Sequence, residues 1–173
     1  DVNADGKPDF VYAGDLRGNL WKFDISSGTA SNWGVAFNGS PLFTATYSAA
    51  TGSSSRQPIT APPVLRPNNL AGGLMVAFGT GQSLTETDRT DRSTQSVYSI
   101  LDNTRYSIAS TGNDVGKVTI ATSPTPAAVG DRSSLTSQSV NDTTKTAGTG
   151  DSASRSFWKL TTQEVVYSCA AGA

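Results

Sequence analysis

Asp1, Asn3, Asp5 and Asp9 place side-chain oxygens at positions 1, 3, 5 and 9 of the opening stretch, Asp1-Val2-Asn3-Ala4-Asp5-Gly6-Lys7-Pro8-Asp9. A hard divalent cation needs about six to eight oxygens converging on one point, and a tight loop supplies them by aiming alternate side chains inward while the backbone bends around the metal. Gly6 falls where such a loop turns most sharply, and glycine accepts a positive φ there at least steric cost. Lys7 takes the position that contributes a main-chain carbonyl, which leaves its ammonium to solvent. The spacing is that of a calcium loop.

An EF-hand would add a bidentate Glu at position 12 and a helix on each side, but this chain has Tyr12 there. Pro8 and the β-favouring Phe10, Val11 and Tyr12 feed the loop into a strand instead. Asp, Asn and Gly also build turns that bind no metal. Three carboxylates within nine residues repel one another in an empty loop, which favours the cation. Magnesium would keep more water and fewer protein ligands, and zinc would want His or Cys, of which the chain has no His and one Cys.

The elements that must hold this loop read as strands. Phe10–Ala13, a turn over Gly14–Asn19, and Leu20–Asp24 make a hairpin. Period two puts Trp21, Phe23 and Ile25 on one face and Leu20, Lys22 and Asp24 on the other. A comparable pair follows, Leu74–Gly81 and Gln95–Asp102, and each pair ends on an acidic residue after an aromatic-containing strand. Recurrence of strand, Gly-containing turn, aromatic strand and Asp is the pattern of stacked propeller blades. Gln57–Leu65, rich in proline, suits an edge strand. The insertion over 32–56 carries Phe37, Pro41, Leu42 and Phe43 and is expected to pack. Residues 123–156 are polar and read as loop or disorder. Phe157–Leu160 restarts a strand, and Val165–Cys169 reads as another. The aromatics Trp21, Phe23, Tyr98 and Trp158 are read as core.

Composition agrees with a mainly β chain. Roughly a quarter of the 173 residues are Ser or Thr, with 17 Gly and 8 Pro. A net charge of -1 from 13 basic and 14 acidic residues supplies no basic field for nucleic acid. With no His, the Ser-His-Asp arrangement and imidazole metal sites are excluded. Glu86, Asp88 and Asp91 alternate with Arg89 and Arg92 and read as a solvated loop, and Gly79-Thr80-Gly81 is too short for a phosphate fingerprint. Cys169 is expected to be a buried thiol or half of a disulfide with a partner outside this chain. Opening on a metal ligand, the chain reads as an excised piece of a longer protein.

The run Asp1–Asp24 resembles the signature of the PilC/PilY family of type IV pilus biogenesis factors. Gln57–Pro63, Phe78–Gly81 and Val97–Asp102 are similar to that family in the same order, so the likeness spans roughly 1–102. It implies an all-β fold, a partial (modified) β-propeller of antiparallel strands with long polar loops, here a fragment of one carboxy-terminal domain over 1–173. It implies a non-enzymatic protein at the bacterial cell surface, fimbrium or outer membrane, reached through the periplasm. Its expected partners are major or minor pilins, accessory assembly proteins and host-cell surfaces, with roles in pilus assembly, twitching motility and adhesion. Calcium is expected to control extension and retraction through ligands that fall on Asp1, Asn3, Asp5, the carbonyl of Lys7, and Asp9. Hairpins like Tyr12–Asp24 also resemble blades of quinone-dependent dehydrogenases, and an extracellular adhesin or lectin is the further alternative.

Overall fold

The computed structural model describes residues 1–47, 56–69, 72–91, 93–135 and the backbone of strand 166–169. The amino-terminal hairpin forms as its pattern predicts: β1 (Phe10–Gly14) pairs antiparallel with β2 (Asn19–Asp24), with Phe10 opposite Asp24. The Asp15 carboxylate ties the turn between them. It accepts the Arg17 and Asn19 amides, the Asn19 side chain and the Trp21 indole N–H. Burial alone would raise the Asp15 carboxyl, but the Trp21 and Asn19 hydrogen bonds and the turn amides hold it below the ordinary carboxylate value. Gly18 has φ +76°, and a Cβ there would lie 2.6 Å from the Gln57 carbonyl oxygen, so only glycine fits the turn against the segment behind it.

β2 carries the short strands β3 (Gly34–Val35) and β4 (Phe43–Thr44), both antiparallel to it. A second sheet is built from β5 (Val64–Pro67), β6 (Leu74–Gly79) and β7 (Gln95–Asp102), in the order β5-β6-β7. Between β7 and the carboxy end come a two-stranded ribbon of β8 (Tyr106–Ile108) and β9 (Val118–Ile120), then β10 (Gly130–Asp131) and β11 (Val166–Cys169). β11 adds to the free edge of β7. β10 lies parallel to β4, which corrects the expectation of antiparallel strands throughout. The parallel pair is possible because the chain reaches β4 from far along the sequence rather than through a hairpin. Of the proline-rich segment Gln57–Leu65 only Val64 and Leu65 enter edge strand β5, while Gln57 and Ile59 are buried ahead of it.

The sheets pack through Leu20, Leu42, Phe43, Ala45 and Ile59 against Val76, Phe78, Tyr98 and Ile100, all buried. Phe43 lies 5.0 Å from the Tyr98 ring and 6.1 Å from Phe78, while Phe78 and Tyr98 stack at 5.3 Å. Period two decides which side chains enter. On β7 the inward row is Ser96, Tyr98, Ile100 and Asp102, and on β2 it is Leu20 and Lys22, with Asn19 buried at the strand start by its own hydrogen bonds to Asp15, Thr44 and Arg56. Trp21 and Phe23 are therefore half-buried on the opposite face, a correction to their reading as core, whereas Tyr98 is fully buried. Trp158, Phe157–Leu160 and residues 136–156 lie outside the described residues. The described start of the polar region is ordered, since Val129 and Leu135 pack on the core. The insertion packs as expected through Leu42 and Phe43.

Both inward rows end in a charge. Lys22 Nζ donates to Asp102 Oδ2 at 2.6 Å and to Thr104 Oγ1 at 2.8 Å, and both side chains of the ion pair are almost fully buried. Asp102 also accepts the Tyr12 hydroxyl and the Thr104 amide and hydroxyl. The Phe10 ring lies 4.5 Å from the ammonium, with Phe37 and Tyr12 just under 6 Å away. Burial alone would raise the Asp102 carboxyl, but the Lys22 ammonium and the surrounding donors hold it below the ordinary carboxylate value. Burial, and then the Asp102 charge, push the Tyr12 phenol far above its usual value, so it stays a donor.

Lys22→Met would strand the Asp102 carboxylate and is expected to cost about 3–5 kcal/mol, whereas Lys22→Met with Asp102→Leu should recover much of that loss. Urea unfolding of the single and double variants measures both. Because the folded carboxyl titrates below the unfolded one, the pair's contribution is present above about pH 4 and is lost as the pH falls through the lower folded value. Acid titration should therefore destabilise the wild type more than the double variant, which retains only the other lowered carboxyls such as Asp15.

Candidate metal centre

The opening loop is wound by its own side chains. Asp1 Oδ1 accepts the Asp5 amide at 3.2 Å and Asp1 Oδ2 accepts the Gly6 amide at 2.9 Å. Asn3 Oδ1 accepts the Asp5 amide at 3.2 Å, and Asp5 Oδ1 accepts the Lys7 amide at 2.8 Å. The three consecutive amides of residues 5, 6 and 7 thus make four hydrogen bonds, two to Asp1 and one each to Asn3 and Asp5, with the Asp5 amide shared between Asp1 and Asn3, which fixes the side chains while leaving further lone pairs on the same oxygens. Winding this tightly requires left-handed backbone at Ala4, φ +59°, and at Gly6, φ +84°.

Asp9 is placed differently. It is buried at 5% exposure, and its Oδ2 accepts the Val2 amide at 2.6 Å, with the terminal ammonium 3.9 Å away. Its carbonyl accepts the Ile25 amide, so the residue that closes the loop also fixes the open end of the β1–β2 hairpin. The structure therefore gathers Asp1, Asn3 and Asp5 on one set of amides and holds Asp9 on another. The Lys7 side chain is exposed, as its position implied.

Among the described residues, no three Asp, Glu, His or Cys side chains form a metal-holding group by themselves. An oxygen set here has to draw on the Asn3 amide and the Lys7 carbonyl as well as the carboxylates. Oxygen-only donors fit calcium and do not fit zinc. Glu86, Asp88 and Asp91 behave as the solvated segment expected of them. Asp88 caps an exposed 3₁₀ turn over Glu86–Thr90, where the Thr85 and Leu84 amides hold its carboxyl at about 2.

Sequence reasoning did not find Tyr12, Lys22 and Asp102, which fasten the strand behind the loop. Their signal was present in the period-two rows, where Lys22 shares a face with Leu20 and Asp102 shares one with Tyr98 and Ile100. Nor did it find the contact of Asn3 with Gly116, whose carbonyl accepts the Asn3 Nδ2 at 2.8 Å across 113 positions.

Two packed sheets of mostly antiparallel strands, not closed on one another among the described residues, define a partial β-propeller. The chain belongs to the PilY1 beta-propeller domain family, whose model matches residues 1–122. Type IV pilus biogenesis factor PilY1 of Pseudomonas aeruginosa PAO1 is 39% identical over 120 residues, covering 59% of this chain and 10% of that relative. A PilY1 homolog of Xylella fastidiosa Temecula1 is 39% identical over 99 residues, covering 57% of this chain and 7% of the homolog. The crystal structure of the Pseudomonas aeruginosa PilY1 C-terminal domain superposes with a TM-score of 0.54 at 39% identity, covering 60% of this chain and 24% of that one. The chain thus spans about a tenth of the length of the first of these relatives.

Ala4 occupies the left-handed region without the freedom of glycine. A β-branched side chain there adds about 1–2 kcal/mol of backbone cost, so Ala4→Val should lower stability by that amount and Ala4→Gly should leave it unchanged or slightly raised. Thermal unfolding of the two variants in chelator checks the loop geometry without any metal.

Proposed function

We propose that this chain is a calcium-binding propeller segment of a type IV pilus biogenesis factor, acting without enzymatic chemistry at the bacterial cell surface. The observation that carries the reading is the stitching of Asp1, Asn3 and Asp5 onto consecutive amides at the head of β1. It stands within a segment matched by the PilY1 propeller family. Asp1, Asn3, Asp5 and Asp9 would hold the ion with the Lys7 carbonyl. When bound, calcium supplies positive charge against three carboxylates that otherwise repel.

The chain's own residues turn that charge into structure. Asp9 anchors both the Val2 amide and the Ile25 amide, so ordering the loop also tightens the hairpin on which it stands. The surface so ordered is the part of the segment that would engage pilins or accessory assembly proteins, with calcium-linked control of extension and retraction, twitching motility and adhesion following from it. Envelope or fimbrial location accords with the relatives' name as pilus biogenesis factors. Among the described residues, no helix is long and apolar enough to cross a membrane.

Calcium at 100-fold over its Kd should raise the melting temperature of the wild type by roughly 5–10 °C. The Asp5→Ala, Asp9→Ala double variant should show no such rise, whatever its baseline. Differential scanning calorimetry in chelator and in calcium makes the comparison, and an equal rise in the variant would remove the loop from the site.

A further inference from the structure

Asn3 faces two ways. Its Oδ1 accepts the Asp5 amide inside the loop at 3.2 Å, while its Nδ2 donates to the Gly116 carbonyl at 2.8 Å. Gly116 belongs to the turn of the β8–β9 ribbon, where its amide donates to the Ala109 carbonyl and Ala109 donates to Lys117. The ribbon has three residues in each strand. A two-stranded ribbon of that size is marginal alone and takes its order from what it leans on. Near its base the Tyr106 ring lies 6.3 Å from Phe10, the first residue of β1. At its turn the Asn3 amide provides the contact. The loop and the strand it opens therefore meet the ribbon at both ends.

We infer that Asn3 is a connector through which occupancy of the loop orders the β8–β9 ribbon, its oxygen serving the loop and its nitrogen holding the Gly116 carbonyl. The inference rests on the cation reading of the loop and adds to it the element that responds. Fixing the Asn3 oxygen removes rotation about its side-chain bonds, which makes the bond from its nitrogen to Gly116 less costly to hold. The ribbon is the element with two arrangements, docked on the loop or frayed from it, and the coupling acts in both directions. A docked ribbon holds Asn3 in place for the loop as much as the loop holds Asn3 for the ribbon.

Asn3→Asp separates the two roles, because an aspartate keeps a side-chain oxygen for the loop and replaces the side-chain N–H donors with an acceptor. Hydrogen exchange at the Ala109, Gly116 and Lys117 amides is read in the 173-residue chain, in chelator and in calcium, with calcium binding measured separately by calorimetry. The wild type should bind calcium and slow these amides by at least about fivefold. Asn3→Asp should still bind calcium but leave the ribbon amides unslowed. Calcium binding by the wild type without slowing, or equal slowing in Asn3→Asp, overturns the connector and leaves the cation site standing. Loss of calcium binding in Asn3→Asp also overturns it, since oxygen and nitrogen would then not have separable roles. A wild type that binds no calcium overturns the cation reading itself, and the connector with it.

Discussion

The ion pair of Lys22 and Asp102 is the constraint around which this segment is arranged. Apolar contact between Leu20, Phe43, Phe78 and Tyr98 brings the two sheets together, but such contact is non-directional and tolerates sliding. A buried ammonium 2.6 Å from a buried carboxylate does not. Removing two charges from water costs several kcal/mol each, which their attraction offsets only if geometry and hydrogen bonding are complete. Here Asp102 is met by Tyr12, Lys22 and Thr104, and Lys22 is covered by the rings of Phe10, Tyr12 and Phe37. Its net contribution to stability is modest. Its contribution to register is large, because a slip of either strand by one residue would turn a charge outward and an apolar residue out of the core.

That register matters for the loop because one short strand serves both. Asp9 closes the loop, Phe10 covers the Lys22 ammonium and approaches Tyr106, and Tyr12 donates to Asp102. Alternation along β1 places Phe10 and Tyr12 on the inner face, which leaves Val11 exposed. The loop therefore begins at the last fixed point of the packed core. Fixing Asp9 fixes where the loop ends. Its opening residues are held by the Asp9 carboxylate at the Val2 amide, by amides of the loop itself and by the reach of Asn3 to Gly116.

Local chemistry made the first hairpin, β6 and β7 legible in the sequence, since each is a β-favouring run bounded by turn residues. The pattern marks β7 to its end residues, and the spacing of Asp1, Asn3 and Asp5 marks the side chains that the structure gathers on the loop amides. What the sequence left hidden was nonlocal. Period two puts Lys22 on the face of Leu20, but nothing local shows that Asp102, 80 positions away, stands opposite it. Trp21 and Phe23 look like core by size, yet the face is chosen by Leu20 and Lys22 because the second sheet lies on that side. The left-handed turn at Ala4 is hidden for another reason: alanine is not a residue that signals positive φ, and only the demand of the Asp1 and Asn3 oxygens for the amides of Asp5 and Gly6 imposes it.

The family match ends at residue 122, but the sheets do not. β10 at Gly130–Asp131 lies along β4, and β11 at Val166–Cys169 lies along β7, so a free edge of each sheet is covered by chain beyond the matched region. Unpaired strand edges present rows of amides and carbonyls that pair with other chains, and covering them is a general requirement on open sheets. The Val129 amide donates to the Leu42 carbonyl, and Val129 and Leu135 add apolar cover to the same core. These few apolar residues in a polar stretch are enough because each needs to satisfy only an edge, not to build a layer. The described start of the polar stretch, through Leu135, is thus part of the folded unit although it has almost no hydrophobic periodicity and its composition alone suggests loop.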